Sequence, residues 1–224
     1  MSLTLALAAV MMIAACSATK TGDIEEIKFS GFLGDYSQLK TGGEDQAAYA
    51  WIQPGLNLSS YRRIMIDPPQ AWISSEERAE IGEEDMSYLL TSLDKALRED
   101  LGEKWVIVDR PGADVIRLRS AISNAQSASG GLSPFTRILP WGRILSLGVR
   151  GVTGDYLNQG DITVEAEFLD GGTGNRLAAA VDCRVGRNSP LNTFTNWGDV
   201  VDACSWWSER IAERLVEFGM APSK

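Results

Sequence analysis

The sequence predicts an α+β protein in which one mixed, largely antiparallel β-sheet carries two long helices packed mainly on one face. Three patterns carry that expectation. Met86, Leu89, Leu90, Leu93, Leu97 and Leu101 recur at the spacing of one buried helix face, and so do Trp197, Val200, Cys204, Trp207, Ile211, Leu215 and Phe218. Three other runs alternate with period two, as half-buried strands do. They are Ile116, Leu118 and Ile122; Ile162, Val164, Ala166 and Phe168; and Leu177, Ala179, Val181, Cys183 and Val185.

Taken in order, residues 30–58 offer short apolar touches, Phe32, Leu33, Tyr36, Tyr49, Trp51 and Ile52, separated by Gly42, Gly43 and Pro54. They read as an extended arm over the domain. Tyr61 to Ile66 reads as a first strand, stopped by Asp67, Pro68 and Pro69, because proline lacks the donor a central strand needs. A helix follows from Ser75, with Gly102 placed as its stop, and then a second strand from Trp105 to Val108. Strand, helix and strand in this order predict a parallel crossover. In the third strand the apolar face is backed by Arg117 and Arg119, and in the fourth by Glu165 and Glu167. These two pairs are expected to face each other across neighbouring antiparallel strands. Asp170, Gly171, Gly172, Thr173 and Gly174 mark a hairpin turn into the fifth strand. A closing helix is expected from Trp197 to Phe218.

Composition removes several function classes. With 30 Asp and Glu against 21 Lys and Arg the net charge is -9, which opposes phosphate-rich partners and argues against nucleic acid. The chain has no histidine, so Ser/His/Asp and Cys/His catalysis and His-containing zinc sites are excluded. No motif calls for a cofactor or a metal. At 44% hydrophobic and 23% charged residues the chain has the apolar content of a globular domain.

The N-terminus carries an address. Leu3 to Ile13 is an apolar run too short to cross a bilayer core of roughly 30 Å but right for a signal-peptide core. The following Ile13, Ala14, Ala15 and Cys16 resemble the lipobox of bacterial lipoprotein precursors, in which the cysteine receives diacylglycerol. One departure is that no Lys or Arg precedes Lys20, so the leader lacks the usual basic start. The resemblance implies cleavage before Cys16 and anchoring through lipid, since two or more acyl chains hold a protein stably. Ser17, where sorting rules would place Asp for inner-membrane retention, implies the outer membrane, facing the periplasm. The expected organisation is a leader over residues 1–15, the lipidated Cys16 with a flexible tether over 16–29, and one domain over 30–224. An apolar insertion over 127–160 interrupts that domain.

Ser30, Gly31, Phe32 and Leu33, followed by Asp35, Tyr36, Ser37 and Leu39, resemble the opening motif of a family of bacterial lipoproteins, domain of unknown function number 3313. Asp67 and Pro68, Pro111 and Gly112, and Glu165, Ala166, Glu167, Leu169, Asp170, Thr173 and Gly174 agree with its pattern. The similarity runs from about Ser30 to Phe218. It implies a location and a fold, and no catalytic residue or ligand.

Candidate sites are therefore few. Glu165 and Glu167 offer a carboxylate pair, against which stands an ion-paired sheet face. Asp67 and Asp109 end neighbouring strands, where sheets bind ligands, yet each precedes a proline turn that favours Asp. Gly171, Gly172 and Gly174 read as a turn rather than a phosphate cradle. Of the seven tryptophans, Trp105, Trp197, Trp206 and Trp207 fall on elements expected to pack. Cys183 and Cys204 form either a disulfide or two separate buried thiols. Ile138, Leu139, Trp141, Ile144 and Leu145, in the arginine-bearing insertion, suit a cover for the sheet, a partner or self-association surface, or membrane contact. The preferred function is a non-enzymatic envelope module, attached to the membrane through its N-terminal lipid, that binds an envelope protein or cell-wall component or assists assembly of an envelope machine. The rival is a glycan hydrolase using Glu165, Glu167, Asp67 or Asp109.

When the full precursor is expressed in a bacterial host, mass spectrometry of its N-terminal peptide is expected to show a mature chain starting at a lipidated Cys16. A mature chain beginning elsewhere, or a Cys16→Ser form still partitioning with membranes, contradicts this.

Overall fold

The computed structural model describes residues 19–21, 27–43, 46–126, 161–186 and 197–224. The strands among them are β1 (Thr19–Thr21), β2 (Lys40–Thr41), β3 (Tyr49–Ile52), β4 (Arg63–Ile66) and β5 (Gln70–Ala71), then β6 (Val106–Ile107), β7 (Val115–Gln126), β8 (Asp161–Asp170) and β9 (Arg176–Gly186). The helices are α1 (Ser75–Ile81), α2 (Glu83–Lys104) and α3 (Gly198–Glu217). The nine strands make one open mixed sheet in the order β2-β3-β9-β8-β7-β4-β6, with β1 on β9 and β5 on β7. The α+β class, the single largely antiparallel sheet and the two long helices are as the periodicities predict.

The antiparallel trio β7, β8 and β9 forms the centre, and β4 joins it parallel to both β7 and β6. β4 and β6 flank α1 and α2 in sequence, so the strand-helix-strand expectation holds. The α2 stripe Met86, Leu89, Leu93, Leu97 and Leu101 is buried, as are Val200, Cys204, Trp207 and Leu215 of α3. Both helices pack over Ile116, Leu118 and Ile122 of β7 and Ile162 and Val164 of β8 in the main core. The Ser208 hydroxyl hydrogen-bonds to Asp100, tying α3 to α2.

Two helix boundaries differ from expectation. The first helix breaks at Gly82, whose φ of 87° ends α1 and starts α2. Such a φ suits glycine, which has no Cβ to clash. Gly102 does not stop the helix, which runs on to Lys104 and ends where Trp105 turns extended, at φ -130° and ψ 157°. Trp105, fully buried, and its indole N–H, donated to the Ala221 carbonyl at 3.1 Å, hold the chain there. Tertiary anchoring of a large aromatic thus overrides a weak local stop signal.

The tether also differs from expectation. Within its polar sequence Thr19–Thr21 pairs antiparallel with β9, with Thr19 opposite Gly186 and Thr21 opposite Arg184. No apolar pattern in the sequence announces that pairing. The arm does lie across the domain. Phe32 and Leu33, with Tyr36, Leu39 and Tyr49 around them, cover Ala121, Ala179 and Val181 on the sheet face away from the helices. Both faces of the central sheet are therefore buried.

The hairpin turn between β8 and β9 is as predicted. Asp170 Oδ1 accepts from the backbone N–H groups of Gly172 at 2.9 Å and Thr173 at 2.6 Å, and Gly174 takes a φ of 76°. A Cβ on Gly171 would lie 2.6 Å from the Val115 carbonyl oxygen and 2.8 Å from that of Gly112. Backbone cannot yield there cheaply. Gly171→Ala is expected to lower stability in urea unfolding by about 1–3 kcal/mol. Gly102→Ala, whose Cβ would meet only Ile107 Cγ1 at 3.8 Å, is expected to raise it by about 0.5–1 kcal/mol. Equal effects from the two substitutions would contradict these placements.

Candidate functional site

The polar residues that suggested chemistry converge on the sheet face under the arm. Alternation along β8 points Glu165 and Glu167 the same way, and both are buried, at 0% and 3% exposure. Glu165 Oε1 accepts from the Ser30 N–H at 2.7 Å and its Oε2 accepts from the Tyr36 hydroxyl at 2.5 Å. The Tyr36 oxygen in turn accepts from the N–H groups of Gly31 at 2.8 Å and Leu33 at 3.2 Å. One phenol therefore closes the arm loop on itself and fastens it to the sheet. Burial, and then the bond to Glu165, raise the Tyr36 pKa above its ordinary value, which keeps the hydroxyl a donor.

Glu167 sits between two arginines. Arg119, its partner across β7, donates to Oε1, and Arg176 Nε donates to Oε2 at 2.8 Å. Arg176 also donates to the Asp35 carbonyl at 2.8 Å and to the Leu33 carbonyl. The Arg119 guanidinium stacks 4.9 Å from the Phe32 ring centre, and Phe32 meets Trp72 edge-on at 5.6 Å. Such a buried cluster is worth little relative to an apolar core, but removing one member leaves uncompensated charge.

The expected charge pairing is met at Arg119 and Glu167 and fails at the other pair. Arg117 lies opposite Leu169 and turns toward β4, where its Nε and Nη2 form a fork on Asp67 at 3.0 and 2.6 Å. Glu165 lies opposite Ala121 and serves the arm instead. Asp67 is accordingly an ion-pair partner rather than a turn-capping side chain.

On the opposite face, between the sheet and the two long helices, lies a cavity of about 190 Å³. Ala166, Ala178 and Ala180 line its sheet side, Trp206, Ile211 and Leu215 its α3 side. Leu93 and Leu97 of α2 lie along it as well. Beside it, buried Asp182 accepts from the Ala48 N–H at 2.9 Å and the Trp207 indole N–H at 2.8 Å, and also from Arg184 Nε at 2.8 Å. The Arg184 guanidinium lies 3.3 Å from the Trp206 ring centre. Apolar walls with a few fixed polar groups are the usual lining of a small-molecule pocket.

Cys183 and Cys204 are free thiols. Cys183 lies opposite Thr163, one residue on from Asp182, whose side chain meets Trp207 of α3. Alternation therefore turns Cys183 to the arm face, while Cys204 is buried among the helices. Of the two alternatives the described structure has separate thiols, because β9 has two covered faces and an apolar position there does not imply the helix side. Burial pushes both thiols up to about 12. Trp105, Trp197 and Trp207 are buried and Trp206 is partly so, as expected. Cys16 and the patch Ile138, Leu139, Trp141, Ile144 and Leu145 lie outside the described residues. Among the described residues no three acidic or cysteine side chains cluster to hold a metal.

Sequence reading missed the cavity and the polar pair Asp182 and Arg184. The run Ala178, Ala179, Ala180 was the available signal, since small side chains on both faces of a central strand leave room on each.

These features define an α+β domain whose charged sheet face is sealed by its own arm and whose helix face holds an apolar cavity. The chain belongs to the family described as "Protein of unknown function (DUF3313)", whose model matches residues 28–211. "Uncharacterized lipoprotein YdcL" of Escherichia coli (strain K12) is 23% identical over 205 residues, covering 88% of this chain and 89% of that relative. Among solved structures, a PelC dodecamer from Paraburkholderia phytofirmans overlaps with a TM-score of 0.39 at 11% identity, over 72% of this chain and 96% of PelC. Protein XCC0632 from Xanthomonas campestris overlaps with a TM-score of 0.41 at 12% identity, over 75% of this chain and 91% of that protein.

Tyr36→Phe is expected to cost about 1–3 kcal/mol in urea unfolding, because buried Glu165 loses its hydroxyl donor, and to open the arm to limited proteolysis. Glu167→Gln is expected to cost about 3 kcal/mol, while Glu213→Gln, which breaks the exposed pair with Arg210, changes stability by about 0.5 kcal/mol or less. A Tyr36→Phe protein as stable and as protected as wild type contradicts the latch.

Proposed function

We propose that the protein is an outer-membrane lipoprotein, anchored through Cys16 and facing the periplasm, that acts as a non-enzymatic binding or assembly module of the cell envelope. The observation that carries this reading is the employment of the carboxylates. Glu165 and Glu167 are saturated by the arm and by arginines, and Asp67 is held in the Arg117 fork. A glycosidase needs two carboxyl groups flanking a substrate-sized cleft, about 5–9.5 Å apart, with one free to give up a proton. Glutamates fastened beneath a packed arm do not meet that need. The lipobox-like tetrapeptide and the lipoprotein relative support the envelope location.

Two measurements test the reading. Cross-linking in intact cells producing the full lipidated protein is expected to give discrete adducts with an envelope component in the outer-membrane fraction. Purified protein incubated with cell-wall glycan is expected to release no soluble fragments. Fragment release that disappears in Glu165→Gln or Glu167→Gln would establish the hydrolase instead.

A further inference from the structure

The cavity on the helix face has a definite shape, set by strand register. Ser120 of β7 lies opposite Ala166 of β8, Ala166 opposite Ala180 of β9, and Ala180 opposite Ala50 of β3. Directly opposed residues project to the same face, and all four line the cavity. They form a row of small side chains crossing four strands. At about 4.8 Å between strands the row is about 14 Å long, the span of an extended alkyl chain of about a dozen carbons. The adjoining row, Leu118, Phe168, Ala178 and Ile52, rises on one side. On the other side stand Ile122, Val164 and Asp182. Between those walls the small residues make a trough, roofed by Trp206, Ile211 and Leu215 of α3.

Among the described residues, two polar atoms on this cavity have no hydrogen-bond partner. Ser120 Oγ, in a residue 2% exposed at the inner end of the row, makes no hydrogen bond, and Arg210 Nε, also buried, makes none. An orphan hydroxyl on a residue that lines an apolar cavity costs stability in a packed core. The space is not suited to water, which needs two to four polar partners. At about 190 Å³ it exceeds the roughly 150 Å³ apolar void known to admit benzene. It stays below the roughly 300–1,000 Å³ of sites enclosing drug-sized ligands.

The mouth has the opposite character. Ile52 at the outer end of β3 is exposed, and the side chains of Arg210 and Arg214, which also line the cavity, are 33% and 35% exposed. Each guanidinium is paired with a carboxylate three residues on, Glu213 and Glu217. Pairs of this kind, open to solvent on the glutamate side, contribute little to stability.

We propose that the trough binds one long-chain carboxylate of the fatty-acid class, its alkyl chain lying over Ala50, Ala180 and Ala166 and its carboxylate at Arg210 and Arg214. The inference deepens the binding-module reading and rests on it. Its test uses the full chain carrying Cys16→Ser, so that no detergent competes. Titrating dodecanoate below its micellar concentration is expected to give saturable one-to-one binding and to shift the emission of Trp206 and Trp207. Ala180→Phe fills the trough and is expected to weaken binding at least tenfold with the circular dichroism unchanged. Ala166→Leu serves the same purpose should Ala180→Phe fail to fold. Replacing Arg210 and Arg214 together by Gln is expected to weaken dodecanoate about tenfold and to leave dodecanol unaffected. No saturable binding by the parent chain, or binding unchanged in the filled variants, overturns the site. Dodecanol binding as tightly as dodecanoate overturns the assignment of an anionic head. A negative titration leaves the cross-linking and glycan measurements untouched, so this inference can fail while the binding-module reading stands.

Discussion

Burying Glu167 between Arg119 and Arg176 commits the rest of the molecule to keeping that face covered. A carboxylate at 3% exposure is tolerable only while its counter-charges and hydrogen bonds are complete. Arg176 completes its own shell with the carbonyls of Leu33 and Asp35, and Glu165 completes its shell with Ser30 and Tyr36. The arm is thus the missing layer of the sheet, bound by polar bonds as much as by Phe32 and Leu33. It docks on the paired β7, β8 and β9, so the network can close only once those strands are in register.

The same network accounts for the residues by which the family resemblance was drawn. Ser30, Gly31, Leu33, Asp35 and Tyr36 meet Glu165 and Arg176 through a loop closed on the tyrosine oxygen. Asp170 and Thr173 build the turn, and the tight approach of Gly171 to Gly112 and Val115 fits that turn against the one before β7. Asp67 holds Arg117. The polar residues of that pattern thus hold the arm, the turn and the β4–β7 edge in place through separate contacts. Glu165 and Glu167 hold the arm and its arginines, while the apolar cavity lies on the other face, where no motif pointed.

How much of this was legible depends on the range of the interaction concerned. Periodicity alone located both long helices, the central strands and the β8–β9 hairpin, because burial of one face imposes period 3.6 or period 2 on the residues themselves. Charge complementarity identified the Arg119–Glu167 pair, since opposed strand positions are neighbours whatever else the fold does. Gly102 was misread as a helix stop and the pairing of Cys183 with Cys204 stayed open, for one reason. Each depends on a contact with a distant part of the chain, the Ala221 carbonyl that holds buried Trp105 in one case and the arm in the other.

By itself the sequence determined the class of fold, the order of its central strands and long helices and the exclusion of histidine chemistry, all of which follow from residue type and local spacing. Only the tertiary structure decided which face of β9 each side chain would serve, that Arg117 would leave Glu165 for Asp67, and that Ser120, Ala166, Ala180 and Ala50 would line up into a trough. Those four residues come from four separate strands and have nothing in common along the chain. Hydrogen-bond register across the sheet is what places them side by side, and register is set by the pairing of whole strands rather than by any one of them.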